Sequence, residues 1–302
     1  MASILIVVTG GVVRLTGSGL GCPKWPMCTG DTLAPTAAMG VHGAIEFSNR
    51  ILTGVLCAVV GWLIIAARLQ KVSMPSVLRG SWLQFWVVVL NAVVGGVTVL
   101  MRLSPYIVAA HFLAAMLLLT AAVITWERVR QHQVPPREPA PPPSRVRTAS
   151  VVLVAATALL VVAGTLVTGA GPHAGDSSDV ARMPFDWTLV AVVHGALAVV
   201  VLGAAGFIWS ALTGGGADSA RRRTACFLAV VLAQGAVGLW QSLSGLPGLA
   251  VGLHLLGASL VWAGTLRVYC AVRMPDSAEA VVEFETVSDS PSGGAIPHLS
   301  GS

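Results

Sequence analysis

Long apolar runs separated by short polar stretches dominate this chain. A run of about 20 apolar residues is what an α-helix needs to cross the hydrocarbon layer of a bilayer. By that measure the sequence predicts eight helices: Ala2 to Leu15, His42 to Ala67, Ser81 to Met101, Ile107 to Trp126, Ser150 to Gly169, Trp187 to Thr213, Ala225 to Leu243 and Leu249 to Val272. The first is several residues short of a full span. Between the fourth and fifth runs, residues 131–149 (QHQVPPREPAPPPSRVRTA) hold too many prolines for a helix, so an extended polyproline-type linker is expected there. From Met274 onward the chain turns acidic and rich in Ser, Pro and Gly, the composition of a disordered tail. The pattern thus divides the chain into a first four-helix unit (1–130), a linker (131–149), a second four-helix unit (150–273) and a tail (274–302).

Composition strengthens this picture. Of 302 residues, 55% are hydrophobic and only 10% charged, against about 25% charged in soluble domains. The chain reads as an all-α integral membrane protein whose first partner is membrane lipid. Its net charge of +5 does not point to nucleic acid, because the basic residues collect in alternate loops: Arg68, Lys71 and Arg79; Arg128, Arg130, Arg137, Arg145 and Arg147; Arg221, Arg222 and Arg223. Such loops face the cytoplasm. The opposite loops then face outward, and both termini are expected inside. The first apolar run flows into Gly10-Gly11-Val12-Val13-Arg14 without a small-residue cleavage site, so a cleavable signal peptide is not expected.

The two halves repeat each other. Thr16-Gly17-Ser18-Gly19 recurs as Thr168-Gly169-Ala170-Gly171, and at the same offset Val41-His42-Gly43-Ala44 recurs as Val193-His194-Gly195-Ala196. In the later helices Asn91, Gly95 and His111 are matched at one offset by Gln234, Gly238 and His254. A duplicated four-helix unit with parallel repeats follows, since an even number of spans preserves orientation.

Candidate chemistry lies in the polar residues inside apolar runs, which are rare in membranes unless a site uses them. His42, Glu46, Asn49 and Arg50 lie near one helical face. Four histidines, His42, His111, His194 and His254, fall near the outward ends of even-numbered helices as two repeat-related pairs. A lone intramembrane histidine serves more often as hydrogen-bonding glue. Two imidazoles facing each other in a four-helix bundle instead supply the axial positions of a haem iron, and His194 with His254 is the stronger pair. Zinc is the weaker reading, because no cysteine or carboxylate in that half completes a tetrahedral set. Cys22 and Cys28 flank an outward loop stiffened by two prolines and read as a disulfide, structural or redox-active; the physics alone favours structural. Cys57, Cys226 and Cys270 read as small hydrophobes.

The segments Gly11-Val-Val-Arg14-Leu-Thr-Gly-Ser-Gly19-Leu-Gly-Cys22-Pro-Lys-Trp25-Pro-Met-Cys28, Glu46-Phe-Ser-Asn49-Arg50 and Gly171-Pro-His173-Ala-Gly-Asp176 resemble the signature segments of the haem A synthase family. The resemblance covers all eight predicted spans. It implies eight transmembrane helices in two four-helix bundles related by a pseudo-twofold axis. It also implies oxidation of a porphyrin methyl group of haem O to the formyl group of haem A by successive hydroxylations. From the family, the second bundle should hold haem b between His194 and His254, and the first should bind haem O with Glu46 as catalytic carboxylate and His111 as iron ligand. The Cys22–Cys28 bridge should matter for activity or electron transfer. Implied partners are a haem O synthase (protohaem farnesyltransferase) and the terminal oxidase under assembly, with a homo-oligomer also open.

One departure stands out. Many family members carry a histidine where this chain has Asn49, and an amide is a poor iron ligand. Either His111 acts alone or His42, two turns earlier on nearly the same face and equivalent to His194, supplies the second nitrogen; the repeat favours His42, against a plain surface hydrogen bond. Glu46 could relay protons during hydroxylation and Arg50 could bind a haem propionate, with Asn49 beside it. A structural i, i+4 salt bridge is the competing account of Glu46 and Arg50. His173 and Asp176 read as a haem cover, a partner contact or a turn, and His132 and His298 as inert. Two other function classes compete: a bis-histidine electron carrier, which needs neither Glu46 nor the cysteine loop, and a repeat-built transporter, whose site belongs at the midplane.

Overall fold

The computed structural model describes residues 1–133, 142–172, 180–213 and 218–273. Among these the regular structure is helical: α1 (Ala2–Leu15), a 3-10 turn (Ala37–Met39), α2 (Gly40–Arg68), α3 (Pro75–Leu100), α4 (Pro105–Gln133), α5 (Ser144–Ala170), α6 (Trp187–Ala211), α7 (Asp218–Leu243) and α8 (Gly248–Arg273). Helix is what such a sequence must form, because lipid offers backbone N–H and C=O groups no other partner. The helices α2 to α8 are long and apolar enough to cross a membrane, whereas α1 has 14 residues and is not. This is a multi-pass membrane protein. Many of its large apolar side chains point outward, Trp62 at 71% exposure among them, as lipid-facing residues do.

Local chemistry sets several boundaries. Pro75 and Pro105 open α3 and α4, where a missing N–H costs nothing. Asp186 caps α6 by accepting the Leu189 N–H at 2.7 Å. The helices run further into the proline-rich stretch than expected: α4 continues to Gln133 and α5 begins at Ser144, directly after Pro143. The extended reading of 131–149 is therefore corrected at both ends, since a proline stops a helix on its N-terminal side but readily precedes one. The rest of that linker, the loop with His173 and Asp176, and the tail with His298 lie outside the described residues.

The repeat extends to backbone geometry. After α3 the chain turns through Arg102 and Leu103 at φ 47 and 58, and after α7 through Gly245 and Leu246 at φ 72 and 61. In each turn the leucine N–H closes back onto its helix, Leu103 to the Thr98 carbonyl at 2.9 Å and Leu246 to that of Gln241 at 2.8 Å. Arg102 thus adopts the left-handed conformation for which the second half uses glycine.

In the first half each helix packs on its sequence neighbours and α1 meets α4; in the second half α5 likewise meets α8. Two apolar cores result. One joins Leu56, Val60, Ile64, Val87, Val88 and Leu118, the other residues such as Leu153, Val201, Ile208, Phe227 and Val268. Between halves α1 and α4 pack on α8, and α4 on α5. Trp262 Nε1 donates to Thr120 Oγ1 at 2.8 Å across that seam. Below it Glu127, 1% exposed, accepts from Arg130 (3.0 Å), Arg223 (2.8 Å) and Arg267 (3.0 Å), so one carboxylate ties α4 to α7 and α8.

Removing that carboxylate leaves three guanidiniums facing each other, and a broken buried pair costs about 3 to 5 kcal/mol. Glu127→Gln should lower the thermal midpoint of the detergent-solubilised protein by several degrees, with Asp186→Asn on α6 as the milder comparison.

Candidate haem site

His194 on α6 and His254 on α8 face each other across the second half, on helices that are not direct neighbours. Their ring centroids are 6.2 Å apart and the planes cross at 57°. The spacing suits a shared metal: about 2 Å from metal to nitrogen and about 1 Å from nitrogen to centroid on each side give roughly 6 Å. His194 Nδ1 lies 3.1 Å from the Leu160 carbonyl of α5. That bond makes Nδ1 the protonated nitrogen and leaves Nε2 as the ligand atom. Gln234 of α7 donates to the His254 carbonyl at 2.8 Å and fixes the register of α8. No group of three or more His, Cys, Asp or Glu able to hold a metal ion occurs among the described residues. The donor set is thus two imidazoles, which fits a haem iron whose other ligands come from the porphyrin.

The first half repeats part of this. His111 of α4 lies against Gly95 of α3, and Asn91 donates to the Ala114 carbonyl at 3.0 Å, as Gln234 does in the other half. His42 stands differently. It is exposed, its Nδ1 is 2.9 Å from the Ser18 hydroxyl, and no ring contact joins it to His111 as one joins His194 to His254. Trp25 covers the other side of this region, its indole packed on Gly96 next to Gly95.

Glu46 and Arg50 are occupied by the cysteine loop. Cys22 and Cys28 form a disulfide, and both are fully buried. Glu46, 6% exposed, accepts the Cys22 N–H at 2.6 Å and pairs with Arg50 at 2.5 Å. Arg50 also donates to the carbonyls of Cys22 (2.9 Å), Lys24 (3.0 Å), Met27 (3.1 Å) and Pro26 (3.4 Å). Its guanidinium gathers the turning loop, whose carbonyls have no ladder or helix to serve. The i, i+4 pair is therefore present, and it reaches well beyond α2. Asn49 accepts from Thr9 of α1 at 2.9 Å, which ties α1 to the same face.

The structure brings Glu46, Asn49, Arg50 and the disulfide together, and separately His194 with His254. His132 lies at the end of α4, away from both. The sequence reading missed Glu127, visible only as an acid beside Arg128 and Arg130 in the last turns of α4, and the hydroxyls of Thr9 and Ser18, which carry no pattern signal.

Fold and site define a multi-pass α-helical membrane protein with a haem-compatible imidazole pair. Residues 1–266 match the family profile described as cytochrome oxidase assembly protein (COX15-CtaA); the chain belongs to that family. Among its relatives, a haem A synthase of Alkalihalophilus pseudofirmus is 30% identical over 141 residues, 44% of this chain and 46% of the relative. One of Exiguobacterium sp. is 31% identical over 145 residues, again 44% and 46%. A third, of Staphylococcus epidermidis, is 31% identical over 104 residues, 34% of each. The matched stretch spans less than half the length of these curated relatives.

Arg50→Gln removes the loop's clamp, and each lost charged hydrogen bond is worth roughly 1.5 to 3 kcal/mol. The Cys22–Cys28 bond should then be reduced at clearly lower dithiothreitol concentration than in wild type, as counted by maleimide mass-tagging of the released thiols.

Proposed function

We propose that this protein is a haem A synthase of the cell membrane, oxidising the methyl group of haem O to the formyl group of haem A by successive hydroxylations. The observation that carries the reading is the His194–His254 pair at a spacing suited to one iron, in a chain whose relatives are haem A synthases. We place haem b between these histidines, where when bound it supplies one-electron chemistry. The eight helices are taken as two four-helix bundles about a pseudo-twofold axis, a reading supported by the closed rings of neighbours in each half and by the repeated turns. Both termini face the cytoplasm on the charge pattern.

Haem O is the substrate of the first bundle. His111 is its fixed iron ligand and His42, across the bundle on α2, its second. Glu46 is the catalytic carboxylate. Hydrogen bonds from the Cys22 N–H and from Arg50 hold it in one orientation, so it can accept a proton at a defined place as the methyl is hydroxylated and hand one back as the gem-diol loses water. Arg50 neutralises this carboxylate, and its Nε is the donor left over for a substrate propionate; the Asn49 amide lies beside it. The disulfide keeps the Cys22 N–H aimed at Glu46. A haem O synthase (protohaem farnesyltransferase) supplies the substrate, and terminal oxidase assembly consumes the product. Self-association is compatible with the exposed apolar faces of α6 and α7.

Co-expression with a haem O-producing enzyme, followed by haem extraction and chromatography, tests the activity. Haem A should accumulate; haem B alone, without conversion on turnover, would identify a bis-histidine electron carrier instead. Glu46→Ala should abolish haem A and keep the haem b spectrum, whereas loss of both would make Glu46 a folding residue.

A further inference from the structure

Three of the four intramembrane histidines are seated against a glycine on the preceding helix, the two of the second half in the same way. A methyl group built on Gly164 of α5 would lie 3.2 Å from His194 Cε1 and 3.6 Å from its Nδ1. On Gly238 of α7 it would lie 3.1 Å from His254 Cε1 and 3.6 Å from Nδ1. On Gly95 of α3 it would lie 2.9 Å from His111 Cε1, with Nε2 at 3.3 Å and Nδ1 at 3.6 Å, so this ring is turned with its Nε2 nearer the glycine. These distances are at or inside the contact limit, so any side chain there must push the ring away. The near-identity of the two second-half seats is not a general feature of these helices: Gly195, Gly206 and Gly235 have nothing within 4 Å of that position.

The seat also orients the ring. In the α5–α6 pair, the carbonyl that accepts from His194 Nδ1 belongs to Leu160, four residues before Gly164. His254 Nδ1 is buried and makes no hydrogen bond among the described residues, and it stands at the same distance from Gly238 as His194 Nδ1 does from Gly164. A ring whose Nδ1 proton is held by the neighbouring backbone presents Nε2 to a metal with a fixed plane and basicity.

We propose that Gly95, Gly164 and Gly238 are positioning residues that seat the His111, His194 and His254 imidazoles by their Cε1 edges, and that at His194 the Leu160 carbonyl, four residues before Gly164, also accepts from Nδ1. The proposal rests on the haem reading above and adds to it a distinction among the ligands. His42 has no such seat: no glycine of the described residues lies against its ring, and a Ser18 hydroxyl holds it instead. The substrate site therefore pairs one rigid imidazole, on His111, with one that can turn away, as a site that must admit and release a macrocycle requires. The haem b site has two rigid imidazoles and keeps its cofactor.

The test uses full-length protein purified with its haem. Gly164→Ala and Gly238→Ala should each shift the largest g value of the low-spin ferric haem signal in electron paramagnetic resonance, together with the haem midpoint potential. Gly206→Ala and Gly235→Ala, the same change in open space, should superimpose on wild type. Loss of haem from either seat variant with helical circular dichroism intact also supports the seats. Unchanged signals in both Gly164→Ala and Gly238→Ala overturn them, and since each variant is an independent reading, one that fails to accumulate leaves the other to decide. Gly95→Ala should leave the haem b signal untouched and weaken haem O binding, followed by Soret titration, at least tenfold; unaltered affinity overturns the first-half seat. His194→Ala and His254→Ala are the separate check on the haem reading: if both keep the wild-type signal, the axial assignment itself is wrong, whatever the glycines do.

Discussion

A hydrocarbon interior gives polar groups no water to bind, and the organisation of this protein follows from that constraint. The backbone answers it by remaining helical. Some polar side chains at depth bond back to their own helix, as Ser81, Thr125 and Thr224 do; others find a partner on another helix, and those partners fix how the helices pack. Asn91 and Gln234 each spend an amide on a carbonyl of the next helix. Thr157 meets Thr265, and Thr120 meets Trp262. Glu127 gathers three arginines at the seam. Apolar packing fills the space between these contacts but discriminates poorly among registers, because lipid tails solvate Leu and Val as well as another helix does.

Duplication lets the same solution be used twice and then modified. The two halves share the amide brace, the glycine beside the histidine and the turn closing the last helix pair. They differ at their first pair. In the second half His194 is held against α5; in the first, the equivalent His42 is turned to the Ser18 hydroxyl, and the space above α2 is taken by the disulfide loop with Glu46 and Arg50. One half sets two imidazoles face to face, and the other sets a carboxylate held by the Cys22 N–H and by Arg50.

That difference explains why a single guanidinium does so much. The loop from Cys22 to Met27 has neither helix nor sheet to satisfy its carbonyls, and Arg50 serves four of them while pairing with Glu46. Loop, disulfide and carboxylate are thereby one mechanical unit. A change to any of them reaches the others without crossing the membrane interior.

The sequence by itself determined the helices, their number and their approximate ends, because hydropathy over 20 residues is a sum that no tertiary contact can reverse in lipid. It also determined the repeat, the family resemblance and the short list of intramembrane histidines, since polar residues stand out against an apolar background. It misplaced the edges of the proline-rich stretch, where capping decides the boundary and hydropathy does not. Only the tertiary structure decided that His194 and His254 stand 6.2 Å apart, that Glu127 is a buried hub, that Arg50 serves the cysteine loop and that glycines back three of the four imidazoles. These are contacts between residues far apart in the chain, made by hydroxyls, carbonyls and absent side chains, whose meaning depends on what lies opposite. No linear pattern records that.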